Sequence, residues 1–379
     1  MRFTVLLLAL AACLGTPAST NPSDHGALTV HEWGTFTSIA GADGTAVEWL
    51  PQAGPSDLPC FVARNRFNVK GGLSGTVRME TPVLYFYAPR ETTVNVTVRF
   101  RQGVITEWFP PAAVTPGNSP VPFGSESAIA WRHVKVSPGA VEDFPVERGA
   151  SHYYAARRTA AAPLQSGSER EKFLFYRGVG RFALPIAATV DADGKVAVSS
   201  PGGGPVGDVI LFDNHRGRIV YEVRRALGGQ VVIDPPVADR EPTLAIERML
   251  LANGLYPDEA AAMIESWRGS WFEEGTRLFY IVPRPAIDTI LPLEIDPPPA
   301  GVARVFVGRI ELVTPATQNE IKDALLANHL ATLRAHGRFL QAIGRRVVGE
   351  SAPGDRARLE QRLQDAYATW VTPQDGCGR

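Results

Sequence analysis

Apolar and polar residues alternate at every second position through most of the first two thirds of the chain, which is the pattern of strands buried on one face. The clearest case is Met79 to Phe100, METPVLYFYAPRETTVNVTVRF, where Val94, Val96, Val98 and Phe100 alternate with Asn95, Thr97 and Arg99. It predicts an aromatic strand, a Pro-containing turn and a second strand. Two later stretches repeat the design: EKFLFYRGVGRFALPIAATV (Glu171 to Val190) and EEGTRLFYIVPRPAIDTILPLEI (Glu273 to Ile295). Leu84, Leu174 and Leu278 each open an aromatic pair, and each pair is followed by a second alternating strand. Glu80 and Glu274 stand at one spacing before Leu84 and Leu278, and Pro89-Arg90 matches Pro283-Arg284. Three similar hairpins are expected.

The same reading places a strand at the start of LTVHEWGTFTSIAGADGTAVEWLP. Leu28, Val30, Glu32 and Phe36 fall on one face, and Thr29, His31, Trp33, Thr35 and Thr37 on the other. Further strands are predicted at 104–109, 127–136, 196–199, 230–233 and 302–313, with a hairpin around Asn214-His215-Arg216-Gly217. Helical periodicity marks 243–253, stopped by Gly254, and 257–268, opened by Pro257-Asp258-Glu259. One long helix is predicted over 318–348 behind the capping box Thr317-Gln318-Asn319-Glu320, and a last one over 356–371. The expected class is mainly β with appended helices (α+β): an antiparallel β-sandwich built from repeated hairpins. A β-rich domain would span 27–315 with a helical insertion at 240–275, and a helical segment 316–372 would close the chain. A separate α+β domain from about residue 240 is the alternative.

Composition agrees with a folded chain: 45% hydrophobic and 20% charged over 379 residues. A net charge of −1 gives no electrostatic case for nucleic acid or for an anionic membrane surface. The N-terminus is more informative. Met1-Arg2 precedes an apolar run, Phe3 to Leu10, too short to span a bilayer, so residues 1–20 read as a signal peptide. Leu10-Ala11-Ala12-Cys13 resembles a lipobox that would lipidate Cys13; cleavage after Ala18 is the alternative, and both export the protein. Cys60 and Cys377 remain. In an oxidising compartment an even pair suggests a disulfide, whereas the loose tail around Cys377 argues for two thiols.

HEWGTFTS, METPVLYFY and FLFYRGVG resemble an uncharacterised family of exported bacterial proteins, over about His31 to Pro315. The resemblance implies export and a common fold. It carries no established activity and so transfers no catalytic residue.

Candidate chemistry centres on Glu32, a carboxylate on an otherwise apolar strand face. It is costly there unless paired, so it is either a general acid or base or half of a structural ion pair. His31 beside it is the second catalytic candidate, but it points to the opposite face, so the two serve one site only if a bulge rotates one of them. Glu80 and Glu274 are further acid/base candidates, and Arg90 and Arg284 are binding or pairing candidates; the structural reading has each Glu at a strand start held by its Arg. Trp33 and Trp108, with Trp131, Tyr153 and Tyr154, are candidates for a glycan or peptide platform, against the default of core aromatics. Metal ligation has thin support: there is no His-Glu-x-x-His and no Cys cluster, Asp213 and His215 sit in a turn, and His329 and His336 are two helical turns apart. No nucleophile elbow, phosphate loop or dinucleotide fingerprint occurs, so no cofactor is expected. These readings point to an exported cell-envelope protein, a non-catalytic β-rich binding or assembly module. Its partner would be an envelope glycan, peptide or protein, and its membrane contact only a lipid anchor at Cys13. The alternative is a hydrolase of envelope polymer using Glu32 with a second carboxylate.

Overall fold

The computed structural model describes residues 26–53, 57–65, 72–116, 126–147, 151–226, 228–237, 241–370 and 377. The segment read as a signal peptide, with Cys13, lies outside the described residues. Strands come first in the chain: β1 (Thr29–Ile39), β2 (Ala63–Arg64), β3 (Val77–Tyr87), β4 (Thr92–Phe100), β5 (Gly103–Phe109), β6 (Ala113–Thr115) and β7 (Ser127–Val136). They continue as β8 (Leu164–Ser166), β9 (Glu169–Glu171), β10 (Leu174–Gly180), β11 (Ala187–Val190), β12 (Val196–Ser199), β13 (Gly207–His215), β14 (Arg218–Ala226) and β15 (Gln230–Ile233). Helices α1 (Thr243–Ala252) and α2 (Pro257–Trp271) interrupt them before β16 (Gly275–Ile281). Then come α3 (Arg284–Ile290), β17 (Leu293–Asp296), β18 (Gly301–Leu312), and the helices α4 (Pro315–Ala327), α5 (Leu330–Ala335), α6 (Leu340–Glu350) and α7 (Pro353–Trp370).

The molecule is mainly β with helices appended, as the periodicity predicts. A nine-stranded sheet runs β14-β13-β16-β18-β1-β3-β10-β5-β2. A six-stranded sheet built on β4 and β7, and a three-stranded sheet β11-β12-β15, face it. Among the described ladders one is parallel, β1 on β18 from Thr29↔Gly301 to Ile39↔Glu311, and the rest are antiparallel.

The three repeats explain the layering. In each, the Leu and the second aromatic point into one core while the first aromatic points into another. Leu84, Phe86, Leu174, Tyr176, Leu278 and Tyr280 fill the core shared with the facing sheets. Tyr85, Phe175 and Phe279 lie on the opposite face, packed against Met263, Trp267 and Trp271 of α2. The centre of the large sheet is therefore buried on both sides, with about 1.5–3 kcal/mol gained per large apolar side chain. The repeats do not close as hairpins. β3, β10 and β16 belong to the nine-stranded sheet, whereas their following strands β4, β11 and β17 belong to the facing sheets. A strand pattern says which face is buried, not which sheet supplies the partner, and the Pro-containing turns carry the chain across the core. In the third copy a short helix, α3, stands at 284–290 where strand was expected.

Register in β3 depends on one residue. Between the pairs Trp33↔Val83 and Thr35↔Glu80, β3 carries an extra residue, and Thr81 sits at φ 46°. The bulge lets Val77 and Met79 face the same core as Leu84 and Phe86 despite their odd spacing, and it turns Glu80 to the opposite face.

After α1 and α2 the chain returns to the nine-stranded sheet, where β16 pairs with β13 and β18. The helix expected over 318–348 is broken. Asn328 adopts φ 56° and caps α4, so α5, a 3-10 turn at 337–339 and α6 follow as separate pieces. The cap at its start is Thr314, whose hydroxyl accepts the Thr317 N–H, with Pro315 in the first turn, and not Thr317. These helices form a third core with Ile39 and Val313, including Ile321, Leu340 and Leu363. Cys60 and Cys377 are disulfide-bonded, with their Cα atoms 5.5 Å apart.

Candidate functional site

His31 and Glu32 point to opposite faces of β1, as strand geometry requires. The His31 Nδ1 lies 2.8 Å from Glu259 Oε2. The same carboxylate accepts the Tyr256 N–H at 2.8 Å and, through Oε1, the Tyr87 hydroxyl at 2.8 Å. Glu259, the third residue of α2, thus reaches back to the backbone N–H of the N-cap Tyr256, and His31, stacked on Tyr256 with ring centroids 4.4 Å apart, pins that helix to the sheet.

Glu32 is 0% exposed. Tyr176 donates to its Oε1 at 2.5 Å, and the Arg304 Nε donates to its Oε2. Arg304 also donates to Asp288 at 2.8 Å and to the Leu291 carbonyl at 2.7 Å. Both oxygens of the carboxylate are therefore occupied inside the sandwich core. The ion pair joins β1 to β18, and the Tyr176 hydroxyl ties it to β10, which carries FLFYRGVG.

Glu80 lies on the other face of the sheet from Glu32, so these two carboxylates cannot share a cleft. It accepts the Thr37 hydroxyl at 2.7 Å and is paired with Arg338, with Arg78 3.5 Å away. Burial pushes its carboxyl up, and the Arg338 and Arg78 guanidiniums more than reverse this, holding it below the ordinary glutamate value. It belongs to a band of buried charge across the sheet, in which Arg277 and Arg309 flank Glu311; at its rim the buried Arg177 holds the exposed Asp57 at 2.7 and 2.8 Å. The matched spacing of Glu80 with Arg90 and of Glu274 with Arg284 does not bring them together. Arg90 is exposed, and Arg284 opens α3, bonded to Asp288 at 2.7 Å and to the Val302 carbonyl at 2.9 Å.

The aromatic platform does not form from the expected residues. Trp33, Trp131 and Tyr153 are buried and have no face to offer a ligand; Trp108 and Tyr154 are half-buried against the cores.

What sequence reading missed is a second constellation at the edge of the sheet. Arg216 and Gly217, at φ 54° and 82°, make the tight turn between β13 and β14, and His215 stands just before it. Glu274, at the entry to β16, accepts the Arg216 N–H through both oxygens at 2.9 and 3.0 Å. The His215 Nδ1 is 3.4 Å from Glu274 and 3.8 Å from Glu320 of α4. A cavity of about 520 Å³ opens beside them, lined by Arg216, Glu274, Glu320, His329, Thr332 and His336. Burial lowers the His336 imidazole below the ordinary histidine value, against the pull of Glu320 and Glu274. The break after α4 is what places both His329 and His336 on this cavity.

No family model and no curated protein matches the chain. Among solved structures it is similar to the yeast delta-COP-I mu-homology domain, at 8% identity and a TM-score of 0.30, over 76% of this chain and 98% of that one. The same yeast domain complexed with a Dsl1 WxWxV peptide aligns at 8% identity and a TM-score of 0.28, with the same coverage. Likeness at this level establishes neither fold nor function.

Proposed function

We propose that the protein is an exported, non-catalytic β-rich binding or assembly module of the cell envelope, with a glycan, peptide or protein as its ligand. The observation that carries the reading is the state of Glu32, whose two oxygens are taken by Tyr176 and Arg304 with no solvent access. A general acid or base must reach the proton it transfers, and this one cannot. Of its two candidate partners in the hydrolase reading, Glu80 lies on the opposite face and Glu274 holds the Arg216 N–H at the edge of the sheet. HEWG reads as a structural junction: His31 docks α2, Glu32 holds β18 and β10, and Trp33 fills the outer core. Gly34 leaves room for the Phe306 ring, which a Cβ would approach to 2.8 Å.

Purified mature protein on glycan and peptide arrays, with products followed by mass spectrometry, is expected to retain a ligand class without releasing fragments. New fragments that disappear in Glu32→Gln would overturn the reading.

Export rests on the basic start and short apolar run at the N-terminus, and on a Cys60–Cys377 pair of the kind that persists in oxidising compartments. Cell fractionation should find a chain lacking Met1 outside the cytoplasm, and radioactive palmitate should label wild type but not Cys13→Ala. Equal labelling of the two would remove the lipid anchor. Full-length protein in the cytoplasm would remove export.

A further inference from the structure

We propose that His215, Glu274 and Glu320, with His336 as a fourth ligand, form a binding site for a divalent transition-metal cation of the zinc class. The first observation is geometric. One ligand atom from each of His215, Glu274 and Glu320 can be chosen so that all lie within 4.8 Å of one another. An ion bound at about 2.0–2.2 Å in tetrahedral geometry holds its ligand atoms about 3.4 Å apart, so modest closure of these side chains completes the set.

The second observation is independent of the first. His336 is 5% exposed and lines the same cavity as Glu274 and Glu320. Its Nε2 is buried and has no hydrogen-bond partner among the described residues. A buried polar atom normally has a partner, and an imidazole nitrogen left without one beside this cavity is a ready metal ligand.

The chemistry of the set selects the ion. Two carboxylates and two neutral imidazoles balance a charge of +2, and mixed nitrogen and oxygen donors favour zinc, cobalt or nickel over the all-oxygen cations calcium and magnesium. The Arg216 guanidinium reaches Glu320 at 3.4 Å, but it is 77% exposed and can swing into solvent when a cation enters.

The ligands come from four places in the fold: the end of β13, the entry to β16, helix α4, and the residue that caps α5. A bound ion would fasten the C-terminal helices to the edge of the nine-stranded sheet. This would add stability by mass action, because the unfolded chain does not hold the set together.

The test is titration of tag-free mature protein with zinc by calorimetry and with cobalt by visible absorption, with magnesium as the control. We expect saturable binding of one zinc and a cobalt d–d band. The melting temperature should rise with zinc and not with magnesium. Losing even an outer partner of a metal site costs about 10–100-fold in affinity, so His215→Ala and Glu320→Gln should each weaken zinc binding by about 100-fold or more. His336→Ala should weaken zinc binding and change the cobalt spectrum. His215 is half exposed, so its alanine variant keeps the test meaningful even if the buried His336 variant folds poorly. No saturable zinc binding by wild type, or unchanged binding in the His215→Ala/Glu320→Gln double variant, would overturn the proposal.

Discussion

Glu32→Ala should lower the unfolding free energy by about 3–5 kcal/mol, measured by denaturant unfolding of the mature protein. The substitution leaves Arg304 buried with its carboxylate partner gone and strands the Tyr176 hydroxyl, which donates to Glu32 at 2.5 Å. Arg304 keeps Asp288 and the Leu291 carbonyl, but its Nη2 already has no hydrogen-bond partner among the described residues. The remaining contacts therefore do not absorb the loss. Two comparisons isolate the cause. Asp288→Ala removes a half-exposed partner of the same guanidinium and should cost no more than about 1 kcal/mol. The double change Glu32→Leu/Arg304→Met removes both buried charges and should recover most of the loss, because apolar replacements of a buried ion pair are often neutral or better. The opposite sign also has a meaning. Carboxylates kept for catalysis are commonly held at the expense of stability, so a neutral or stabilising Glu32→Ala would return Glu32 to the catalytic reading.

How much of this was legible beforehand follows from what a periodic pattern encodes. The phase of β1 was readable to the residue: Val30, Glu32 and Phe36 face one core and His31 and Trp33 the other. The partners were not. Arg304, Tyr176 and Glu259 lie 272, 144 and 228 residues away from the side chains they hold. The three Leu-led repeats were readable as strands but not as members of one sheet, because alternation reports burial and leaves pairing open. In the C-terminal segment the apolar stripe resumes after Asn328, so periodicity alone runs the helix through the break; only the left-handed backbone at that residue ends it. The members of the metal constellation were each visible in a local role. His215 belonged to a turn, Glu274 to a repeat, Glu320 to a capping box and His336 to a helical face. Only the packing of α4 and α5 against the edge of the sheet unites them.

Glu311→Ala should match or exceed the Glu32 effect, at about 3–5 kcal/mol or more, because it orphans two guanidiniums instead of one. Arg277 and Arg309 are both 0% exposed, and Glu311 accepts from their Nε atoms at 2.8 and 2.7 Å. Arg277 retains the carbonyls of Trp271, Glu273 and Glu274, and Arg309 retains Ser270 and Glu273, so both would stay buried and charged, with Glu273 the carboxylate still hydrogen-bonded to Arg309. The same cluster sets a pH dependence. Burial raises the Glu311 carboxyl, and Arg277 and Arg309 more than reverse this, so its folded pKa lies below the ordinary value of 4.5; Glu80 behaves alike under Arg338 and Arg78. A carboxylate with a depressed folded pKa binds its proton more readily in the unfolded chain. Its stabilisation is complete above the unfolded value and is lost as pH falls through the folded one. Glu171 works in the opposite sense, since burial leaves its pKa raised; its contribution favours folding at low pH and fades as pH rises through that raised value. The lowered group of Glu311, Glu80 and Asp57 outnumbers it, so wild type should lose stability from about pH 5 downward. Glu311→Gln, which has no such carboxylate to protonate, should be less stable than wild type at about pH 7, with the gap closing as the pH falls below the ordinary glutamate value. Unfolding curves across that range measure the gap directly, and a constant difference between the two proteins would show that Glu311 is not the charged partner of Arg277 and Arg309.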